Sequence, residues 1–140
     1  GVWAYNHRAK KFGDNFSGET IKAIESYKEW LVDADLPCVF GGDFNNSVIW
    51  DRPNNKNNFK NINNQLESLG FVSAYHTNTD DDFGCEESAT FYHTKQESKK
   101  YHIDYLYVRS MECNYIELGK YEDWIKLSDH SPLTLELSIR

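Results

Sequence analysis

Asp43 and Asn45 stand two residues apart in the stretch Gly41-Gly42-Asp43-Phe44-Asn45-Asn46-Ser47. A carboxylate accepts a proton or faces a metal, and a nearby amide donates to a phosphate or carbonyl oxygen. Phe44 between them is expected to point the other way and anchor the segment in the core. Taken alone, the pair also reads as an Asx-type turn bonding its own backbone. A second carboxylate, Asp104, interrupts the apolar strand Ile103-Asp104-Tyr105-Leu106. Alternation places it on the face of Leu106 and Val108, where a buried carboxylate needs a partner. The third group is Ser128-Asp129-His130. Adjacent side chains diverge, so His130 is expected to take its carboxylate from elsewhere, and Asp104 is the natural candidate. An aspartate accepting from one imidazole nitrogen fixes the tautomer and aims the other nitrogen at a substrate. Singly, these residues have plain structural readings: Asp104 as a satisfied strand carboxylate, His130 as a cap before Pro132, Asp129 as a turn residue. All three together, in this order, make the plain readings the weaker ones.

These groups need a scaffold, and the pattern around them supplies one. Val2-Trp3-Ala4-Tyr5 reads as a strand with Asn6-His7-Arg8 at its polar end, and the chain opens abruptly within it. Ser17 suits a helix N-cap and Glu19 the first turn. Ile21, Ile24, Tyr27, Leu31 and Ala34 recur at helical spacing, giving one amphipathic helix that Pro37 stops. Cys38-Val39-Phe40 is expected to be a buried strand, after which the paired glycines turn sharply and leave room for a ligand. Phe59, Ile62, Leu66 and Leu69 predict a second helix closed by Gly70. Phe71 to Tyr75 reads as extended. The acidic segment Thr77 to Glu87 reads as a solvated surface loop, because Asp80-Asp81-Asp82 lacks the calcium-loop spacing. Strands are expected at Ala89 to His93, Tyr101 to Val108 and Cys113 to Leu118. Alternation from Leu133 to Ile139 predicts a half-buried antiparallel strand.

The 140 residues suffice for one domain with a core. A mean hydropathy of -0.72 and the lack of a long apolar run predict no membrane-spanning segment. Cys38, Cys85 and Cys113 lack metal-site spacing, so free thiols and a cytoplasmic location are expected. The net charge of -7 argues against broad electrostatic wrapping of a nucleic-acid duplex. A local basic rim from Arg8, Lys10, Lys11, Lys95, Lys99 and Lys100 stays open. So does a role for Trp50, Asp51 and Arg52, either lining a pocket or packing their loop.

Gly42-Asp43-Phe44-Asn45, His102-Ile103-Asp104-Tyr105 and Ser128-Asp129-His130-Ser131-Pro132-Leu133 resemble, in order and spacing, signature blocks of the endonuclease/exonuclease/phosphatase superfamily. That group holds DNase I-like and exonuclease III-like nucleases, inositol-polyphosphate phosphatases, sphingomyelinases and deadenylases. Thr90-Phe91 is similar to its Thr-Phe block. The resemblance spans the whole chain but only the C-terminal half of the family's domain. It implies an α/β (α+β) fold: half of a two-sheet, four-layer sandwich, with a mixed or antiparallel sheet and two main helices, residues 1–140 forming the C-terminal part of one domain. It also implies Mg2+-dependent attack of water on a phosphoester, with Mn2+ as a substitute. Asp43 would then orient or deprotonate the water, Asn45 would hold the phosphate or a metal, and His130 would donate to a non-bridging oxygen. Asp104 would orient His130, and Asp129 would bind metal or assist the leaving group. Asn6 or His7 would lie near the phosphate.

The family's first half supplies an early Asn and a metal-binding Glu, expected upstream of residue 1. Glu19, Glu25 and Glu29 belong to the amphipathic helix and are poor substitutes. The 140 residues alone are therefore expected to be inactive, and to need the missing half or to self-associate. Partners are a phosphoester substrate, with nucleic acid among the candidates. Two other readings compete: a binding module without turnover, and a metal-free hydrolase using Ser128 or Ser131 with His130. The last lacks a nucleophile-elbow motif.

Overall fold

The computed structural model describes residues 1–4, 19–32 and 36–139. In chain order its helices and strands are β1 (Val2–Trp3), α1 (Glu19–Ser26), α2 (Lys28–Val32), β2 (Cys38–Asp43), α3 (Phe59–Ser68), β3 (Val72–Ser73), α4 (Ala74–Asn78), β4 (Phe91–Tyr92), β5 (Lys100–Tyr101), β6 (Asp104–Arg109), β7 (Met111–Leu118), α5 (Tyr121–Trp124) and β8 (Leu133–Ile139). Tyr5, Asn6, His7, Arg8, Lys10, Lys11, Ser17 and Ala34 lie outside the described residues.

The central sheet has the order β1-β2-β6-β3. β1 runs parallel to β2, and the β2–β6 and β3–β6 pairs are antiparallel, so the sheet is mixed. Register sorts its side chains. Phe40 pairs with Tyr107 on one face. That face meets Ile24 of α1 and Phe59, Ile62 and Leu66 of α3 in a core completed by Phe44, Phe71 and Tyr105. Phe44 is buried, as its position between Asp43 and Asn45 predicts, with its ring edge-on to Tyr105 at 5.6 Å. Phe59 stacks on the same tyrosine at 4.3 Å. The opposite face carries Trp3, Val39 and Val72, which are 79%, 45% and 47% exposed. The described chain is α+β.

The glycines depart from expectation. Gly41 and Gly42 do not turn the chain; both lie inside β2. A Cβ on Gly41 would meet the Tyr105 carbonyl oxygen at 2.4 Å, and one on Gly42 the Val2 carbonyl oxygen at 2.0 Å. The space they leave is filled by the neighbouring strands β6 and β1, not by a ligand. The reversal comes at Asn45, with φ of 49°.

Other differences have local causes. The first amphipathic helix is two segments meeting at Tyr27, although Tyr27 still donates to Ala23 and accepts from Leu31. Tyr27 is 62% exposed, so it leaves the predicted apolar face. The second helix is as predicted, and Gly70, with φ of 83°, closes it. Its N-terminus is capped from a distance: Asp51 accepts from the N–H groups of Phe59 and Lys60. Asp51 thus belongs to loop packing, and Trp50 rests on Tyr101. Extension after Phe71 lasts only through Ser73 before α4 begins. The acidic segment is not simply solvated. Glu86 is buried against His76 at 3.3 Å, and Asp81 accepts from the Tyr75 hydroxyl. The strand predicted over Tyr101 to Val108 breaks at His102-Ile103 into β5 and β6. β7 and β8 form an antiparallel ribbon, with Leu133, Leu135 and Leu137 half-buried and Ile139 exposed. No helix among the described residues is long and apolar enough to cross a membrane. The three cysteines are unpaired.

Candidate active site

Strand register brings the first two carboxylates together. Asp43, last in β2, is the antiparallel partner of Asp104, first in β6. Phe44 N–H continues the ladder to the Ile103 carbonyl at 3.0 Å. Asp104 Oδ2 then lies 2.9 Å from His130 Nδ1, so the ring donates to the carboxylate and its Nε2 is left for other work. The two side chains are 15% and 30% exposed, respectively. The partnership expected from sequence between residues 26 apart is present in the fold.

Thr90 builds the junction. It is fully buried, and its hydroxyl oxygen accepts from the N–H groups of both Ile103 and Asp104, each at 3.0 Å. Those two bonds replace ladder bonds where the long strand breaks. Its carbonyl accepts from Ser131 N–H, and Tyr92 N–H donates to the Asp129 carbonyl, both at 2.8 Å. Phe91 thus bridges His130, with their rings 4.8 Å apart. The His130 loop is laid against the start of β6 by this pairing. Sequence marked Thr90 only through the Thr-Phe block; nothing in it showed that one hydroxyl would serve two backbone donors.

The remaining site residues are less uniform. Asn45 N–H donates to Asp43 Oδ1 at 2.8 Å, and its side-chain amide reaches Asp43 Oδ2 at 3.3 Å. The Asx turn and the acidic rim are therefore the same feature. Asp129 presents its charge to both Asp43 and His130. Ser128 accepts from the backbone N–H of His130 at 3.0 Å, so its hydroxyl is engaged with the turn and not with the imidazole. His102 is buried, donates from Nδ1 to the Ser88 carbonyl, and is pushed below the usual histidine range by that burial. It is a structural histidine.

Both titratable groups are shifted upward, for different reasons. The Asp104 hydrogen bond raises the His130 pKa above its ordinary value, outweighing burial. Burial raises the Asp43 carboxyl; the Asn45 N–H opposes that, and the nearby Asp104 charge adds to it. A carboxylate with raised basicity beside a stabilised imidazolium is a base–acid pair.

Asp43, Asp104 and His130 open onto one cleft of about 550 Å³, whose lining also includes Leu106, Trp124 and Leu133. Asn45 and Asp129 stand outside its lining. Among the described residues no group of three or more His, Cys, Asp or Glu is arranged to hold a metal ion. The donors present are carboxylate oxygens, which suit a hard cation taking one or two protein ligands and completing its shell with water and substrate oxygens. Asn6 and His7 lie outside the described residues, as do Arg8, Lys10 and Lys11 of the basic rim; Lys95 and Lys99 are exposed on the β4–β5 connection and Lys100 at the start of β5. Trp124 had no signal in the sequence, because nothing there pairs α5 with this cleft. Comparisons with protein-family models, with curated proteins and with solved structures found no match.

Proposed function

We propose that this chain carries the acid–base half of a phosphoesterase site, hydrolysing a phosphodiester or phosphomonoester by attack of water. The observation that carries the reading is the Asp104–His130 hydrogen bond of 2.9 Å, set beside Asp43 by strand register. In this reading Asp43 takes a proton from the attacking water as its oxygen bonds to phosphorus. His130, kept protonated by Asp104, donates from Nε2 to a non-bridging oxygen as negative charge builds there. The ester P–O bond breaks and the leaving oxygen takes a proton from solvent, while Asp43 gives the proton it took back to solvent. Such acid–base participation contributes on the order of 10²–10⁴ in rate. Mg2+, or Mn2+ in its place, would be held through Asp43 or Asp129, with Asn45 adjacent, and would supply charge neutralisation on the phosphate. The resemblance to the endonuclease/exonuclease/phosphatase superfamily supports the same chemistry.

The reading extends to architecture. The exposed side chains of Trp3, Val39 and Val72 on one sheet face support half of a two-sheet sandwich, to be covered by an N-terminal half of the domain or by self-association. The test is Mg2+-dependent hydrolysis of a generic phosphodiester by this chain and by an N-terminally extended one, with EDTA as control. Activity abolished by Asp43→Ala and by His130→Ala is expected; activity indifferent to both sinks the reading. A binding module without turnover is the competing reading. It gains if phosphoesters bind and neither chain cleaves them.

A further inference from the structure

Resting on the phosphoesterase reading, we propose that the cleft beside Asp104 and His130 selects phosphoesters bearing a flat aromatic group, with the Trp124 indole as the wall on which that group stacks. The cleft lining is mixed: Asp43, Asp104 and His130 are polar, and Leu106, Trp124 and Leu133 are apolar. An occupant matching both has a charged head joined to an apolar body. Among the described lining residues there is no lysine or arginine. The net charge of -7 works against a long polyanionic backbone. The occupant that fits is a small ester whose affinity comes from its organic group.

The position of Trp124 singles it out from the aliphatic wall. The ring is 39% exposed, although it is held firmly. A Cβ on Gly119 would meet Trp124 Nε1 at 2.5 Å and Pro132 Cδ at 2.6 Å, so the glycine is what lets the indole sit down against Pro132. The Trp124 carbonyl accepts from both Leu127 N–H and Ser128 N–H, at 2.8 and 2.9 Å. Ser128 in turn accepts from His130 N–H. The Trp124 backbone and the His130 backbone are thus linked by a short run of hydrogen bonds through Ser128. A fixed, part-exposed indole is a ready platform for a planar group.

The test compares phenyl phosphate with methyl phosphate, which share a dianionic head and differ in the ring. Binding is measured by calorimetry with Mg2+ present, beside hydrolysis of the generic phosphodiester. Base stacking on an aromatic side chain is worth about 1–3 kcal/mol, so phenyl phosphate is expected to bind roughly 5- to 150-fold tighter. Trp124→Ala should erase that preference and leave methyl phosphate binding unchanged, while Trp124→Phe should keep most of it. His130→Gln should weaken both ligands and leave their ratio intact. Equal affinities for the two probes, or a preference surviving Trp124→Ala, overturn the aromatic wall even where hydrolysis is intact. A phenyl preference that depends on Trp124 upholds the wall, and absence of hydrolysis by the N-terminally extended chain beside it counts against the phosphoesterase reading alone.

Discussion

The Thr90 hydroxyl holds Asp104 by its backbone: it accepts the Asp104 N–H at 3.0 Å while also accepting that of Ile103. Through its own carbonyl the same residue holds Ser131, next to His130. Both members of the Asp104–His130 pair are therefore registered against one buried threonine. Thr90→Val keeps the shape and removes the acceptor, stranding two N–H groups. A loss of about 1–3 kcal/mol is expected in urea unfolding, with hydrolysis falling too. Thr90→Ser, which keeps the oxygen, should recover most of both.

The His130 proton gives a pH signature with a definite sign. Its pKa in the folded chain lies above the ordinary 6.5, so the folded state binds that proton more tightly than the unfolded one. The resulting stability is complete below the unfolded value and is lost as pH rises through the folded one. Asp104→Asn should lower the His130 pKa in an NMR titration. It should also destabilise the protein more at about pH 5.5 than at about pH 8.5.

Asp43 is shifted in the same direction as His130, upward, which is unusual for a carboxyl. Its carboxyl is raised above 3.8, chiefly by burial, so its ionisation costs stability as pH climbs through the raised value. Asp43→Asn removes that charge from beside Asp104 and can keep the 2.8 Å bond from Asn45 N–H. Its melting temperature at neutral pH should rise, by about 1–3 °C, while hydrolysis is lost. A variant that melts lower would show that the Asp43 charge is structurally needed.

Gly42 tests the positioning of β2. Its φ of +139° and the Val2 carbonyl beside it leave no place for a side chain. Gly42→Ala should cost about 2 kcal/mol or more and release β1 first. Hydrogen exchange at Ala4, whose N–H donates to the Asp43 carbonyl at 2.8 Å, reads that release directly.

Short-range rules sufficed where a residue's fate depends on its neighbours in the chain. Period-two alternation turned Phe44 inward and Asp43 to the rim. Helical spacing with a closing glycine found α3. The apolar surroundings of Asp104 required a partner, and chain adjacency excluded Asp129 as the partner of His130. Tertiary structure decided what depends on distant backbone. Gly41 and Gly42 look like a turn until β1 and β6 come close enough to need their missing Cβ atoms. Thr90 takes two ladder donors only because Ile103 and Asp104 pass above it, and that capture splits a strand whose composition is unbroken. Trp124 joins the cleft because Gly119 lets it close onto Pro132. Residue types and order thus determined which groups were available for chemistry, and long-range packing determined which of them share a cleft.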